Sequence, residues 1–270
     1  MNIPTIFIIG VPRSGTSWLG QIFKSSESVN YKFQPFFSYE FKDLINEDSD
    51  TDEIKYLLKK ISESDSIFLN QTDKQNNFIY PKFENSNYLN STLVIKENKY
   101  QSLTVSILRK IKNVRMIALV RHPCAVLYSW MKIPSEFPSG SNIILEWRYA
   151  RCKNKGPEDC FGFDMWKKSA LNYLDLQKRY PKRFKVVGYT NLIQEPNKII
   201  CELFDFGRLN FNDSVKKFIT QSRSQSVDNP YAVYKKRLKD DSWIGNLPDE
   251  IIDQIYLELT GTELECFLNY

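Results

Sequence analysis

The stretch TIFIIGVPRSGTSWLG, residues 5–20, joins an apolar run to a loop that is suited to hold a phosphate. Thr5–Ile9 are β-branched or aromatic and predict a buried strand, and the chain from Thr16 onward has helical character. Gly10 and Gly15 permit a tight turn between these two elements. Unpaired backbone N–H groups and the dipole at the start of the helix favour an anion there. The stretch therefore predicts a strand, a phosphate-binding loop and a helix.

The spacing of the two glycines matches a Walker A loop, but the residue types differ. Thr16 stands where such a loop carries its phosphate-binding lysine, and Arg13 supplies a cation earlier in the loop. The loop alone is also compatible with an ordinary connection between a strand and a helix. Other features must therefore decide its role.

Length and composition indicate a globular protein. The chain has 270 residues, of which 42% are hydrophobic and 26% charged, so we expect one domain spanning residues 1–270. No segment is a membrane-span candidate, and the sequence starts directly with a strand, which predicts a cytoplasmic protein. The net charge of +5 suits a small polyanionic ligand and lacks the dense basic stripe of a nucleic-acid binder.

The five cysteines are odd in number and show no metal-ligand spacing. We interpret most of them as reduced thiols. Cys152 and Cys160 flank a Gly-Pro loop, and these two could form a bridge in an oxidising compartment.

Hydrophobic patterns predict alternating strands and helices. The predicted strands are 5–9, 92–96, 114–120 and 184–189, and the predicted helices are 52–61, 102–111, 165–180, 196–206 and 248–260. This alternation is typical of a doubly wound α/β fold, that is, a P-loop-like three-layer fold with a central parallel sheet of about four to five strands flanked by helices. Segments 65–90 and 134–157 are either insertions that cover a substrate or variable surface.

A second anion site is predicted after the strand 114–120. The strand leads into Arg121-His122-Pro123, and a helix follows that carries Ser129. A guanidinium and a hydroxyl at this spacing can converge on one phosphate.

Together, PRSGTSW and this Arg-x7-Ser motif resemble the sulfotransferase family, whose members transfer a sulfuryl group from 3′-phosphoadenosine-5′-phosphosulfate (PAPS) to an acceptor. The segment FKVVGYTNLIQEP is similar to the family's Tyr-Glu-Asp-Leu-x-x-x-Pro segment, with Thr190 and Asn191 in place of the acidic pair. The loop SRSQSVDNPYAVYKKRLKDDSWIGNLP is more loosely similar to the loop that covers the donor in the tyrosylprotein and carbohydrate branches. The resemblance spans most of the chain and is closer to those branches than to the cytosolic small-molecule branch.

The resemblance implies a donor site without a metal. Arg13 would bind the 5′-phosphosulfate and stabilise the leaving phosphate, while Arg121 and Ser129 would select the 3′-phosphate. Sulfuryl transfer has a loose transition state, like phosphoryl transfer, so fixed cations and amides can stabilise it. The remaining residues that the resemblance assigns to the donor are Ser14, Gly15, Thr16, Ser17, Trp18 and Tyr189. In the covering loop, Lys235, Lys236 and Arg237 either contact the 3′-phosphate or form a solvated basic helix end.

The catalytic base is the open question. The family uses a histidine or a glutamate, but Gln34 and Asn98 stand at its usual base positions in this chain. Glu97 and Glu40 are the two candidates that remain, and either could instead be an ordinary surface carboxylate. Lys96 either polarises the transferred group or ends a strand in solvent.

His122, the only histidine of the chain, lies next to Arg121 and is therefore expected near the 3′-phosphate rather than at the sulfur.

Two other function classes stay open on the sequence alone. A nucleotide or small-molecule kinase would use the same loop, although the loop lysine and a clear strand-end aspartate are missing. A nucleotide-binding protein without catalysis would be expected to show Gln34 and Asn98. For a sulfotransferase, SGTSWLGQIF and the following Gln34-Pro35 resemble the carbohydrate and protein branches, which favours a hydroxyl acceptor on a glycan or glycolipid. The oligomeric state is not predicted.

Overall fold

The computed structural model describes residues 3–83, 91–156, 158–236 and 239–269. Its centre is a sheet of five parallel strands in the order β2-β3-β1-β4-β5. The strands are β1 (Thr5–Ile9), β2 (Val29–Phe33), β3 (Thr92–Glu97), β4 (Val114–Val120) and β5 (Phe184–Gly188). This architecture confirms the α/β fold with a central parallel sheet.

Helices connect and cover the strands. None of the helices in the described parts of the chain is both long and apolar enough to cross a membrane. Their bounds are α1 (Thr16–Lys24), α2 (Thr51–Glu63), α3 (Ile67–Asn70), α4 (Thr72–Asn76), α5 (Gln101–Lys110), α6 (Pro123–Met131), α7 (Ile143–Glu146), α8 (Phe163–Arg179), α9 (Tyr189–Gln194), α10 (Pro196–Gly207), α11 (Asp213–Ser224) and α12 (Asp249–Leu259).

The central strand β1 is buried on both faces, as its continuous apolar run predicts. Phe7 and Ile9 point into one hydrophobic cluster, whereas Ile6 and Ile8 point into another on the opposite face of the sheet. Alternation along the strand produces these two faces. The result is three layers, with the sheet in the middle.

The strand order places the predicted site. From β1 the chain passes to β2 and then to β3 on one side of the central strand, and it crosses to β4 and β5 on the other side, so the connections after β1 and β4 lead in opposite directions. In open α/β sheets, ligands bind at the carboxyl ends of the strands where this reversal occurs. The predicted phosphate loop follows β1, Lys96 lies near the carboxyl end of β3, and Arg121 follows β4 directly.

Two differences from the sequence prediction concern strands. The edge strand β2 was not predicted, because its sequence VNYKF contains polar residues that weaken the apolar pattern. The structure satisfies them: Lys32 Nζ donates to the Asn70 side chain at 2.9 Å, and Asn30 Nδ2 donates to the Ser62 carbonyl at 2.7 Å. In addition, β5 ends at Gly188, and the predicted last strand residue, Tyr189, begins a helix instead.

Candidate functional site

The phosphate loop forms as its glycines predict. Gly15 has a φ of 93° and precedes α1 directly, which leaves the first N–H groups of that helix facing the carboxyl end of the sheet. A Cβ at Gly15 would lie 2.5 Å from the ring of Tyr189, so only glycine fits this position. The aromatic ring after β5 therefore packs directly on the loop after β1.

A cavity of about 220 Å³ opens at this edge of the sheet. Most residues that the sequence assigned to the donor or to catalysis meet in its wall: Arg13, Gly15, Thr16, Ser17, Trp18, Lys96, Arg121, Ser129 and Tyr189. The wall also includes Phe33, Gln34, Lys74, Tyr80, Asn98, Glu136, Arg223, Tyr231 and Lys235, among others. Ser14 does not line the cavity; its side chain is buried, and its N–H donates to the Val11 carbonyl at 3.2 Å.

Arg13 bridges the phosphate loop and the helix after β4. Its Nε donates to Ser129 Oγ at 3.1 Å, and its Nη2 donates to the Pro230 carbonyl at 3.0 Å. Burial lowers the pKa of Arg13, and Arg121 adds a smaller lowering. Arg13 and Ser129, which the sequence placed in two separate motifs, are thus direct neighbours.

Arg121 is held by an acidic partner that the sequence analysis did not identify. Its Nε and Nη2 donate to the two carboxylate oxygens of Asp240 at 2.7 and 2.5 Å, and its Nη1 donates to the Arg13 carbonyl at 2.8 Å. Asp240 raises the pKa of Arg121 against the opposing effect of burial. The carboxylate lies 119 positions away in the chain, so no local pattern indicated it.

Trp18 and Tyr189 form an aromatic corner of the cavity. Their ring centroids are 6.4 Å apart at an interplanar angle of 75°, and Trp18 Nε1 donates to Ser222 Oγ at 2.9 Å. The guanidinium of Arg121 lies 5.0 Å from the centroid of the Tyr189 ring. Two fixed rings beside a cation can hold a planar base.

The two amides at the family's base positions both face the cavity. Gln34 Oε1 accepts from Lys96 Nζ at 3.2 Å, and Asn98 Oδ1 accepts from Thr16 Oγ1 at 3.1 Å. Burial lowers the pKa of Lys96 to about 7. Lys96 therefore projects into the cavity rather than into solvent, while neither amide can accept a proton from an alcohol.

The two predicted carboxylates do not reach the cavity wall. Glu97 has no exposed surface and lies on the opposite face of β3 from Lys96, where one of its oxygens accepts the Lys99 N–H at 3.2 Å. Burial raises the pKa of Glu97 to about 7. Glu40 is exposed, and Ser64 Oγ donates to its carboxylate at 2.9 Å. The expected projection of Glu97 or Glu40 into the cleft is thus not found, because strand alternation and the local fold turn both away.

The histidine has a packing role. His122 stacks on Trp243 with centroids 4.6 Å apart, and its Nδ1 accepts the Cys124 N–H at 3.2 Å at the start of α6. Burial lowers its pKa to about 4. It does not line the cavity.

Cys152 and Cys160 are both free thiols in the structure. Among the described residues, no group of His, Cys, Asp and Glu has an arrangement that could hold a metal ion.

The covering loop contributes to a second cleft beside the cavity. Arg13, Ser129 and Lys235 line both spaces, and Lys236 lines the second. Arg237, which the resemblance also assigned to the donor, lies outside the described residues.

Sequence reasoning also missed Lys74, Tyr80, Glu136 and Tyr231 on the cavity wall. They come from irregular segments or from the very short helix α4, where no hydrophobic period signals a position.

Comparisons with known proteins identify the family and the fold. The family model described as "Sulfotransferase domain" matches residues 4–254. No curated protein sequence matches the chain.

Solved structures share the fold. Mouse sulfotransferase SULT7A1 complexed with PAP is 14% identical over 97% of this chain and 86% of that chain, with a TM-score of 0.57. Retinol dehydratase in a complex with retinol and PAP is 15% identical over 98% and 83% of the two chains, with a TM-score of 0.55. The sulfotransferase domain from the curacin biosynthetic pathway is 18% identical over 98% and 100%, also with a TM-score of 0.55. With the family model covering nearly all of its length, this chain belongs to the sulfotransferase family.

Proposed function

We propose that the protein transfers the sulfuryl group of PAPS to a hydroxyl of an acceptor. The observation that carries this proposal is the convergence of Arg13 from the phosphate loop with Ser129 and Arg121 from the β4 side in one cavity wall. A donor with phosphates at both its 5′ and 3′ positions needs cationic and hydroxyl groups at two places around one nucleotide.

In this proposal, the N–H groups at residues 15–17 and the hydroxyls of Thr16 and Ser17 bind the 5′-phosphosulfate at the start of α1, whereas the Ser14 N–H is used within the loop. Trp18 and Tyr189 hold the adenine in their aromatic corner. Ser129 and Arg121 bind the 3′-phosphate, and Lys236 of the covering loop approaches it through the neighbouring cleft.

Arg13 and Lys96 act on the reacting group. As the bond between sulfur and the bridging oxygen breaks, negative charge grows on the 5′-phosphate, and the Arg13 guanidinium stabilises it. Lys96, whose ammonium end lies in the cavity wall, polarises the sulfuryl oxygens when it is protonated. These roles use residues of the chain and require no metal ion.

For the acceptor we propose a glycan or glycolipid. The resemblance of SGTSWLGQIF and Gln34-Pro35 to the carbohydrate and protein branches supports this class, and aromatic side chains beside polar ones suit the mixed surface of a sugar. Phe33 and Tyr231 supply such rings, with Gln34 and Lys96 next to them in the wall. For the location we retain the cytoplasmic prediction.

Calorimetric titration tests the donor site directly. Without Mg²⁺, the protein is expected to bind PAP, the desulfated product of PAPS, at least ten times more tightly than 5′-AMP, which lacks the 3′-phosphate. Equal affinity for the two nucleotides, or binding of ATP only with Mg²⁺, would instead favour a kinase.

Transfer of ³⁵S-sulfate from labelled PAPS to a panel of monosaccharides, glycolipids and phenols tests the reaction itself. The amides Gln34 and Asn98 favour one competing function, a nucleotide-binding protein without catalysis. That function would give tight PAP binding with no labelled product on any acceptor, whereas labelled product excludes it.

A further inference from the structure

The described wall of the cavity contains many basic side chains and a single acidic one, that of Glu136. We infer that Glu136 is the general base that deprotonates the acceptor, a role that rests on the proposed sulfuryl transfer. A hydroxyl has to lose its proton as it attacks sulfur, which requires a proton acceptor within hydrogen-bond reach.

The backbone holds Glu136 beside the donor site. The segment after α6 turns back on the helix, with the Glu136 N–H donating to the Ile133 carbonyl at 2.9 Å. The Glu136 carbonyl accepts from Trp130 Nε1 at 2.8 Å, and Trp130 is buried. Since Ser129 ends the same helix region and contacts Arg13, the origin of the Glu136 side chain is fixed relative to both.

The carboxylate has an unused acceptor position. Its Oε2 is buried and receives no hydrogen bond from the described residues, and the nearest donor to Oε1 is the Tyr231 hydroxyl at 3.5 Å. A buried carboxylate oxygen without a donor is costly unless a bound group supplies one. Because Oε2 has almost no accessible surface, a hydroxyl in the cavity would supply the missing hydrogen bond after a small rotation of the Glu136 side chain, and it would then be placed to lose its proton.

Glu136 interacts electrostatically with the cations of the cavity wall, including those that face the sulfuryl group in the proposed reaction. Its negative charge raises the pKa values of Arg13, Lys74 and Lys96 against the lowering that burial imposes on each. Arg13 and Lys96 are the two cations that face the sulfuryl group in the proposed reaction. Glu136 therefore acts on the same region as both of them.

The other carboxylates considered above do not compete. Glu97 also has a buried oxygen without a donor among the described residues, but Glu97 does not line the cavity, and Glu40 is exposed and bonded to Ser64. Gln34 and Asn98 face the cavity without a basic group. A glutamate from a different part of the chain can take over the function that these two amides cannot perform.

The proposed reaction transfers one proton to Glu136 and one electron pair to the leaving phosphate. Glu136 accepts the proton of the acceptor hydroxyl while the acceptor oxygen forms a bond to sulfur. The bond between sulfur and the bridging oxygen breaks, and its electron pair leaves with the 5′-phosphate of PAP, next to Arg13. The Glu136 carboxyl then releases the proton to solvent after the products leave.

The test compares Glu136→Gln with Glu136→Asp and with the control Glu63→Gln, an exposed glutamate on α2. With labelled PAPS and N-acetylglucosamine as the acceptor, Glu136→Gln is expected to lower turnover by about 10²- to 10⁴-fold, the usual range for loss of a general base. PAP affinity by calorimetry is expected to stay within threefold. Glu136→Asp should restore part of the rate, and Glu63→Gln should match the wild type.

Two further readouts separate a base from a merely structural residue. Any fall of the wild-type rate at low pH should disappear in Glu136→Gln. With 4-nitrophenol, which is largely ionised at neutral pH, the variant should lose less than tenfold. If the loss is equal for both acceptors, or if PAP affinity falls in parallel with turnover, Glu136 is not the base.

Hydrolysis of PAPS provides the test if N-acetylglucosamine is not an acceptor. Water can then take its place, and single-turnover conversion of PAPS to PAP and sulfate should slow at least tenfold in Glu136→Gln. Full hydrolysis by this variant would overturn the assignment of Glu136. Absence of both PAP binding and PAPS turnover in the wild type would instead refute the proposed function.

Discussion

Arg121 donates two hydrogen bonds to Asp240, whose side chain is completely buried, and this pair anchors the covering loop to the end of β4. A third donor of Arg121 reaches the Arg13 carbonyl in the phosphate loop. The same guanidinium thus connects the phosphate loop, the central sheet and the C-terminal part of the chain. A 3′-phosphate at this position would share Arg121 with a carboxylate.

The first prediction concerns this competition. Asp240→Asn removes the negative charge next to the proposed 3′-phosphate position and keeps the side-chain shape. PAP affinity is expected to rise several-fold, while 5′-AMP affinity stays within a factor of two, because only PAP carries the phosphate in question. Calorimetric titration of both nucleotides measures this; an equal change for PAP and 5′-AMP would show that Asp240 does not act on the 3′-phosphate.

The second prediction concerns Arg121 itself. Arg121→Ala is expected to weaken PAP binding by about 2–4 kcal/mol, the scale for loss of one partner of a desolvated charge pair, with little change for ATP. The variant also leaves Asp240 buried without its partner, which costs about 3–5 kcal/mol of stability. The double variant Arg121→Ala/Asp240→Asn removes that cost. If the double variant binds PAP like the wild type, Arg121 does not read the 3′-phosphate.

The third prediction concerns Arg13. Replacement by alanine is expected to lower turnover by about 10²-fold or more, as when one preorganised transition-state donor is lost. PAP affinity should fall by a smaller factor, because the product no longer carries the developing charge. Steady-state rates at saturating PAPS, set against calorimetric PAP affinities, provide the comparison. Unchanged turnover with weaker binding would restrict Arg13 to a binding role.

The fourth prediction is a proton uptake. The pKa values of Lys96 and Lys74 are lowered to about 7 and about 8, mainly by burial. Both lysines lose protons as the pH rises, so affinity for the PAP polyanion should fall between pH 6 and 9. At pH 8, PAP binding should draw protons from the buffer, giving binding enthalpies that differ between Tris and HEPES. Lys96→Met should reduce the difference; identical enthalpies in the wild type would contradict the expectation.

The fifth prediction concerns the stability contribution of Glu97. Burial raises its pKa in the folded state to about 7, above the ordinary value of 4.5 for a glutamate. The stabilising contribution of the protonated carboxyl is therefore complete below pH 4.5 and is lost as the pH rises through 7. Glu97→Gln stays neutral throughout, so it should gain stability relative to the wild type between pH 5 and 8.

Urea unfolding at pH 5 and at pH 8 gives the free energy of unfolding of both proteins and so measures this gain. The exposed control Glu63→Gln should show none. A constant difference between Glu97→Gln and the wild type at both pH values would mean that Glu97 does not titrate in this range.

Local sequence patterns predicted the parts of the fold that depend on neighbouring residues. The bounds of β1 and β4 agree with their apolar runs, and the glycines of the phosphate loop indicated its turn. The strand β2 was missed because contacts from α2 and α3, not its own pattern, satisfy its polar side chains.

The site shows the same division. Arg121, which follows β4 directly, was predicted to lie at the donor, and the structure brings it into the cavity wall. For Lys96, near the end of β3, the sequence left a position in the site or in solvent open, and the structure places it in the wall. Glu97 was misplaced because one step along a strand reverses the face. Asp240 and Glu136 reach the site through tertiary contacts of irregular segments, for which the sequence has no periodic signal.

Arg13 has a φ of 71°, in the left-handed region that side chains other than glycine seldom occupy. A non-glycine residue in this conformation costs about 1–3 kcal/mol, which the surrounding contacts have to offset. The Arg121 hydrogen bond to the Arg13 carbonyl and the two contacts of the Arg13 side chain provide such support. Selection for thermal stability alone would therefore favour glycine at this position. Higher folding stability and retention of the guanidinium are thus opposing requirements on the same residue.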